Sequence, residues 1–118
     1  MLKRKLSNNI EFRRVFSNGI KRDSKNLRMF ILKNQHKFNR LGIVIKKEVG
    51  KAVVRNKIKR RLKEAFRYLD KKLFQEYDII IFVKKSAVNL SYLQLYEELK
   101  SILNSYKKAI NKNTKDNI

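Results

Sequence analysis

The densest concentration of chemistry-bearing side chains in this chain runs from Lys46 to Arg67. Ten basic residues (Lys46, Lys47, Lys51, Arg55, Lys57, Lys59, Arg60, Arg61, Lys63 and Arg67) stand there against Glu48 and Glu64 alone. So many cations, with so few carboxylates to offset their repulsion, point to an external polyanion rather than to a face laced with internal ion pairs. Arginine supplies a planar fork that matches phosphate oxygens. Asn56, set among the cations, both donates and accepts, which suits a phosphate, a ribose hydroxyl or a base edge. Gly50, just ahead of the run, either lets an anion approach free amides at a helix start or simply makes a turn, and its spacing does not separate the two.

A second group is aromatic. Phe12 and Phe16 lie one helical turn apart, and in Leu27-Arg28-Met29-Phe30-Ile31-Leu32 the alternation puts Arg28 and Phe30 on the face opposite Leu27, Met29 and Ile31. Rings next to a cation form a cleft in which unpaired bases stack, although periodicity alone favours core packing for all three phenylalanines. Groups for polypeptide catalysis are scarce. There is no cysteine, and the lone His36 sits in the polar run Asn34–Lys37 as an exposed turn residue. The ten Asp and Glu are scattered, whereas a metal-dependent nuclease needs carboxylates converging on its ions. The expectation is therefore no catalytic and no metal-ligating residue in the chain.

The basic run needs a helix to organise it. Ile58, Leu62, Ala65, Phe66 and Leu69 recur at helical spacing, predicting a helix over 52–70 with Asn56, Arg60, Lys63 and Arg67 on the side opposite the apolar stripe. Asn8 and Glu11 resemble a capping box before a helix over 8–18 that Gly19 stops. Residues 27–33 and 41–46 read as two strands of a hairpin joined by the polar turn from Asn34 to Arg40. Tyr77 to Val83 is apolar almost throughout, as in a strand buried on both faces and central in its sheet. Ser91 and Gln94 form a second capping signal before a helix that ends near 109, leaving 111–118 as a frayed basic tail beyond a single domain over 1–110.

A chain of 118 residues with 42% apolar content suits one core, and its net charge of +21 ranks RNA, then DNA, then an anionic membrane as partner. No apolar run approaches the ~20 residues that span a bilayer, and the N-terminus lacks a signal peptide's apolar segment, so the expected compartment is the cytoplasm. The apolar stripe of the basic helix belongs to the core, which disfavours a membrane-surface role. No obligate protein partner is evident.

The run Gly50-Lys51-Ala52-Val53-Val54-Arg55-Asn56-Lys57-Ile58-Lys59-Arg60-Arg61-Leu62-Lys63-Glu64-Ala65-Phe66-Arg67 closely resembles the basic segment of the bacterial ribonuclease P protein component family. Phe12-Arg13-Arg14-Val15-Phe16-Ser17-Asn18-Gly19 is similar to the family's F-x-x-V-F-x-x-G helix. Arg40 to Lys47 is similar to the strand leading into the basic segment, and Tyr77 to Lys84 to the family's last strand, so the likeness spans roughly 6–106. Lys57 stands where the family often has Arg, and Glu48 where a second basic residue is common. The resemblance implies an α/β (α+β) two-layer sandwich, with a small mainly antiparallel sheet, about three helices and a left-handed β-α-β crossover around the basic helix. It implies a subunit that works with a large catalytic RNA to cleave the 5′ leader from precursor tRNA, with Mg²⁺ held mainly by the RNA. By position it assigns RNA-subunit binding to Lys51, Arg55, Asn56, Lys57, Lys59, Arg60, Lys63 and Arg67, and leader binding to Phe12, Phe16, Arg28 and Phe30. The alternative that composition leaves open is a structural RNA-binding protein such as a ribosomal protein.

Overall fold

The structure is a computed structural model that describes residues 5, 6, 8–70 and 76–116, with side chains described as far as residue 109. Three helices, α1 (Asn9–Asn18), α2 (Ala52–Asp70) and α3 (Tyr92–Asp116), accompany four strands, β1 (Ile20–Asp23), β2 (Leu27–Lys33), β3 (Arg40–Ile45) and β4 (Tyr77–Val83). Short 3-10 turns at Lys47–Val49 and Lys85–Ala87 lead out of β3 and β4. The strands form one mixed sheet in the order β1-β2-β4-β3, antiparallel except for the β3–β4 pair. Because β3 and β4 are parallel, the chain between them must cross over, and α2 is that crossover.

The expected hairpin of 27–33 with 41–46 does not form. β2 pairs Phe30 with Ile80, and β3 pairs Gly42 with the same Ile80 from the other side, so β4 separates them. The physical reason lies in β4, where Ile79, Ile80 and Ile81 are fully buried. A strand apolar on both faces is stabilised most with a neighbour on each edge and a helix on each face. The polar turn serves this arrangement by closing over the start of β4. The Asn34 side-chain amide donates to Asp78 Oδ1 (2.9 Å), and Asn39 Oδ1 accepts from the Tyr77 amide (2.9 Å).

Strand alternation divides the core. Leu27, Met29 and Ile31 of β2 and Ile79, Ile81 and Val83 of β4 meet Ile58, Leu62, Ala65, Phe66 and Leu69 of α2 and Leu95, Leu99, Ile102, Leu103 and Tyr106 of α3. On the other face Ile80 joins Leu6 and Val15, with Phe12, Phe30, Leu32 and Val44 packed around them. Thus α2 and α3 make the helical layer on one face, and α1 covers part of the other. The Tyr106 hydroxyl donates within reach of the Ile20 carbonyl (2.6 Å) and the Met29 carbonyl (2.9 Å), fastening α3 beneath β1 and β2.

The element ends follow from named side chains. Ser91 and Gln94 form the reciprocal capping box, Gln94 N to Ser91 Oγ at 3.1 Å and Ser91 N to Gln94 Oε1 at 2.8 Å. At α1 only half of that device is present: Asn8 Oδ1 accepts from the Ile10 amide (2.8 Å), while the Glu11 carboxylate turns away to Arg40. Gly19 ends α1 in extended conformation, φ −78° and ψ 161°, and its amide bonds the Val15 carbonyl. Its role is close approach, because a Cβ there would lie 2.5 Å from the Val15 oxygen and 3.0 Å from that of Ile31. The backbone of α3 stays helical to Asp116, beyond the end near 109 and into the stretch expected to fray, and residues 117 and 118 lie outside the described residues.

Candidate RNA interface

The polar residues at the start and along the length of α2 divide into an open face and a flank. Lys51, Asn56, Lys57, Arg60 and Arg67 are exposed, as the helical spacing requires. Arg67 is held by Glu64 at 2.7 Å, an exposed i,i+3 pair of small energetic worth that leaves it available to a stronger anion. Arg55 is half-buried and turns back to the Gly50 carbonyl (3.1 Å from Nε). Gly50 closes the 3-10 turn, donating to the Lys47 carbonyl, and a Cβ on it would sit 3.1 Å from a Val54 methyl. Both the turn and the close approach are thus intramolecular. No acidic residue lies in the first turn of α2, so the helix presents an uncompensated positive end beside Lys51.

Lys63 departs from the expected outward row. With Lys59 it leans toward β3 and lines a cleft of about 210 Å³ whose other walls include Lys5, Leu6, Phe12 and Gly42. Burial, then the neighbouring Lys59 and Lys5, lower the pKa of the Lys63 ammonium below the usual lysine value. Three ammonium groups converging on an apolar floor favour an anion among them. Helical periodicity did not reveal this, because Lys5 reaches the cleft through a parallel bridge to Leu41 that no local pattern encodes.

The aromatic surface lies on the α1 side of the sheet. Phe16 packs edge-on to Phe30 with ring centroids 4.8 Å apart and tilts against Phe12 at 6.3 Å. Phe16 is 39% exposed, whereas Phe12 and Phe30 are half-buried. Phe12 also covers Gly42, where a Cβ would meet its ring at 2.5 Å. The next row of the sheet, beyond Phe30, aligns Arg28 of β2 with Phe82 of β4 and Val44 of β3. Lys46 Nζ lies 5.4 Å above the Phe82 ring, a cation-π contact. Arg28 and Lys84 both reach Asp23, at 2.9 and 3.0 Å, and their hydrogen bonds hold its carboxyl below the usual range. The groove therefore has an aromatic floor from Phe16 to Phe82 and cations along its end. Val44 and Phe82 were not singled out from the sequence, and Lys46 was counted with the basic run rather than with the aromatic surface. The available signal was that Phe82 shares the parity of Ile80 while lying two residues from Lys84, but an apolar run reads as core throughout.

Asp23 pairs with the groove's own cations Arg28 and Lys84, while Asp78 and Glu11 are committed to Arg40. Arg40 bonds Asp78 through Nε (2.8 Å) and Nη2 (2.7 Å) and also engages Glu11. Burial opposes ionisation of Asp78, but the hydrogen bonds from Arg40 and Asn34 outweigh it and lower its pKa. The same Asp78 bonds raise the pKa of Arg40. Among the described residues no group of three or more His, Cys, Asp or Glu could hold a metal ion. None of the described helices is long and apolar enough to cross a membrane. His36 is an exposed turn residue stacked on Phe38 at 5.4 Å.

The sequence profile of the Ribonuclease P family matches residues 2–107. The ribonuclease P protein component of Clostridium botulinum (strain 657 / Type Ba4) is 38% identical over 104 residues, covering 87% of this chain and 94% of the relative. That of Alkaliphilus oremlandii (strain OhILAs) is 35% identical over 99 residues, with 84% and 87% covered. Among solved structures, the Staphylococcus aureus RNase P protein superposes with a TM-score of 0.82 at 30% identity, covering 88% of this chain and 95% of its own. The Thermotoga maritima RNase P protein gives 0.78 at 28% identity, with 84% and 94% covered. A basic crossover helix, an aromatic groove on the opposite side of the sheet, and relatives aligned over most of their length all lead to one assignment: the chain belongs to the ribonuclease P protein component family.

Proposed function

We propose that this chain uses its two surfaces on two different RNAs. As a ribonuclease P protein component it is part of a ribonucleoprotein endoribonuclease that matures the 5′ ends of tRNA. In our reading Lys51, Arg55, Asn56, Lys57, Lys59, Arg60, Lys63 and Arg67 hold the catalytic RNA subunit. Phe12, Phe16, Arg28 and Phe30, extended by Val44, Lys46 and Phe82, hold the 5′ leader of precursor tRNA. The observation that carries the assignment is that α2 and α1 lie on opposite faces of the sheet, and the lysine cleft bordered by Phe12 joins them at the β3 edge.

The chemistry each surface performs follows from its groups. Cations on α2 neutralise phosphates and release condensed counterions, which supplies affinity without demanding a sequence. Rings in the groove offer π faces to bases of any identity, and Arg28, Lys46 and Lys84 stand where the leader's backbone would pass. The leader is thereby positioned rather than cleaved by the polypeptide. In our reading Mg²⁺ is held mainly by the RNA and would supply water activation and stabilisation of the leaving oxygen, and among the described residues Asp78 and Glu11 are engaged by Arg40. We place the particle in the cytoplasm, with its precursor-tRNA substrate.

The test is to purify the chain from its own cells and sequence the RNA that accompanies it. A single structured RNA that, recombined with the protein, removes the leader from precursor tRNA is the expected result. Recovery of ribosomal RNA in its place would return the chain to a structural role.

A further inference from the structure

Three tyrosines cluster where α2 meets α3, on the side of the molecule away from the aromatic groove. Tyr68 and Tyr92 both pack against Tyr96, at 6.1 and 6.2 Å between ring centroids. Tyr96 is half-buried and rests on the main core, while Tyr68 is 61% and Tyr92 37% exposed. One ring thus anchors two others that face outward. Tyrosine has few rotatable bonds, so rings already held in place lose little entropy when a flat partner covers them.

The α2 shoulder beside the cluster carries three cations, Lys57, Arg61 and Arg67, and one acid, Glu64, which pairs with Arg67. At helical spacing Lys57, Arg61, Glu64 and Tyr68 form one stripe along α2, and Arg67 precedes Tyr68. Arg61 donates to the Leu90 carbonyl (3.0 Å) just before α3, which fixes the two helices at this seam. We propose that Tyr68 and Tyr92 are a stacking platform for an unpaired nucleotide of the RNA subunit, so that the interface on α2 continues over the seam onto α3. The proposal rests on the reading of α2 as the RNA-subunit face. A second copy of the chain is the poorer occupant, because a net charge of +21 on each would oppose face-to-face contact. The leader is excluded by position, since α2 and α3 pack on the sheet face opposite α1 and Phe30.

Stacking and charge contacts leave different marks on salt dependence. A lost phosphate contact makes the slope of log K against log salt shallower by about one, whereas a lost stack lowers affinity at every salt concentration alike. The full-length Tyr68→Ala and Tyr92→Ala variants, with Tyr68→Phe as the conservative partner, are titrated with the RNA subunit across a salt series, alongside Arg60→Ala. Each alanine variant should bind roughly 5- to 150-fold more weakly, the worth of one stacked base, with the wild-type slope, while Tyr68→Phe binds as wild type. Discrimination between precursor and mature tRNA by the assembled particle should not change. Wild-type binding by both alanine variants would overturn the platform. If Arg60→Ala weakened binding in the same series, the α2 reading would stand without the platform; if it did not, that reading would fall as well. A shallower slope in the tyrosine variants would also overturn the platform, as would a wild-type dimer that Tyr68→Ala dissolves with RNA affinity unchanged.

Discussion

Replacing Phe16 with alanine separates a ring that packs from a ring that binds. A fully buried Phe→Ala costs about 3 to 5 kcal/mol of folding stability. Phe16 is 39% exposed and its main contact is the edge-on Phe30 ring, so the folding cost should be nearer about 1 to 2 kcal/mol. If a leader base stacks on its open face, precursor binding loses a further about 1 to 3 kcal/mol, or roughly 5- to 150-fold in Kd. Mature tRNA has no leader, so its affinity should hold. The assay is holoenzyme affinity for precursor and mature tRNA, measured together with a denaturant melt of the protein alone. Phe30→Ala, in a half-buried position, should show the same selectivity with a larger melt shift. Equal losses for both tRNAs, or a full core penalty with no selectivity, would refute the groove assignment.

Three further outcomes follow from the same geometry. Arg60→Ala should cost about 1 to 3 kcal/mol in RNA-subunit binding with an unchanged thermal transition, and Arg67→Ala less, because Arg67 must first give up Glu64; both are read by titration and melting. Engagement of six or more phosphates should weaken RNA-subunit binding about 10³-fold or more between 50 and 200 mM salt, and a change under about tenfold would contradict the electrostatic account. Asp78 has a lower pKa folded than unfolded, so its contribution is present above the unfolded value near 3.8 and is lost as pH falls through the folded one. Asp78→Asn should therefore destabilise at neutral pH by about 1 to 3 kcal/mol, because Arg40 loses its two-pronged partner but keeps Glu11, and should flatten the acid limb of a stability-against-pH curve. An acid limb as steep as wild type would show that Asp78 does not carry it.

The parts legible in the sequence were those fixed by local periodicity. The extent of α2, the inward set Leu27, Met29 and Ile31, and the Ser91–Gln94 cap each depend on neighbours within a few residues, and each stands as the spacing indicates. Pairing partners depend on distant residues. β2 and β3 are adjacent in sequence, but the isoleucines of β4 gain more by separating them, and only the two-sided apolarity of Tyr77–Val83 hinted at that. β1 was invisible because Ile20-Lys21-Arg22-Asp23 has no alternation and is mostly exposed; the Tyr106 hydroxyl and the close approach of Gly19 hold it there. In the candidate site, the open face of α2 was readable from its angle alone. The lean of Lys59 and Lys63 toward Lys5, and the alignment of Phe82 with Arg28, are products of the sheet register and have no local signature.

The two-surface account is tested most directly by photocrosslinking within the assembled particle. A photoreactive side chain is placed at position 60 in one variant and at position 16 in another, and the labelled RNA is sequenced after precursor tRNA is added. The account predicts that the probe at 60 marks the RNA subunit and the probe at 16 marks the 5′ leader of the precursor. Crosslinks from both positions to the same RNA, or a probe at 16 that ignores the leader, would contradict it.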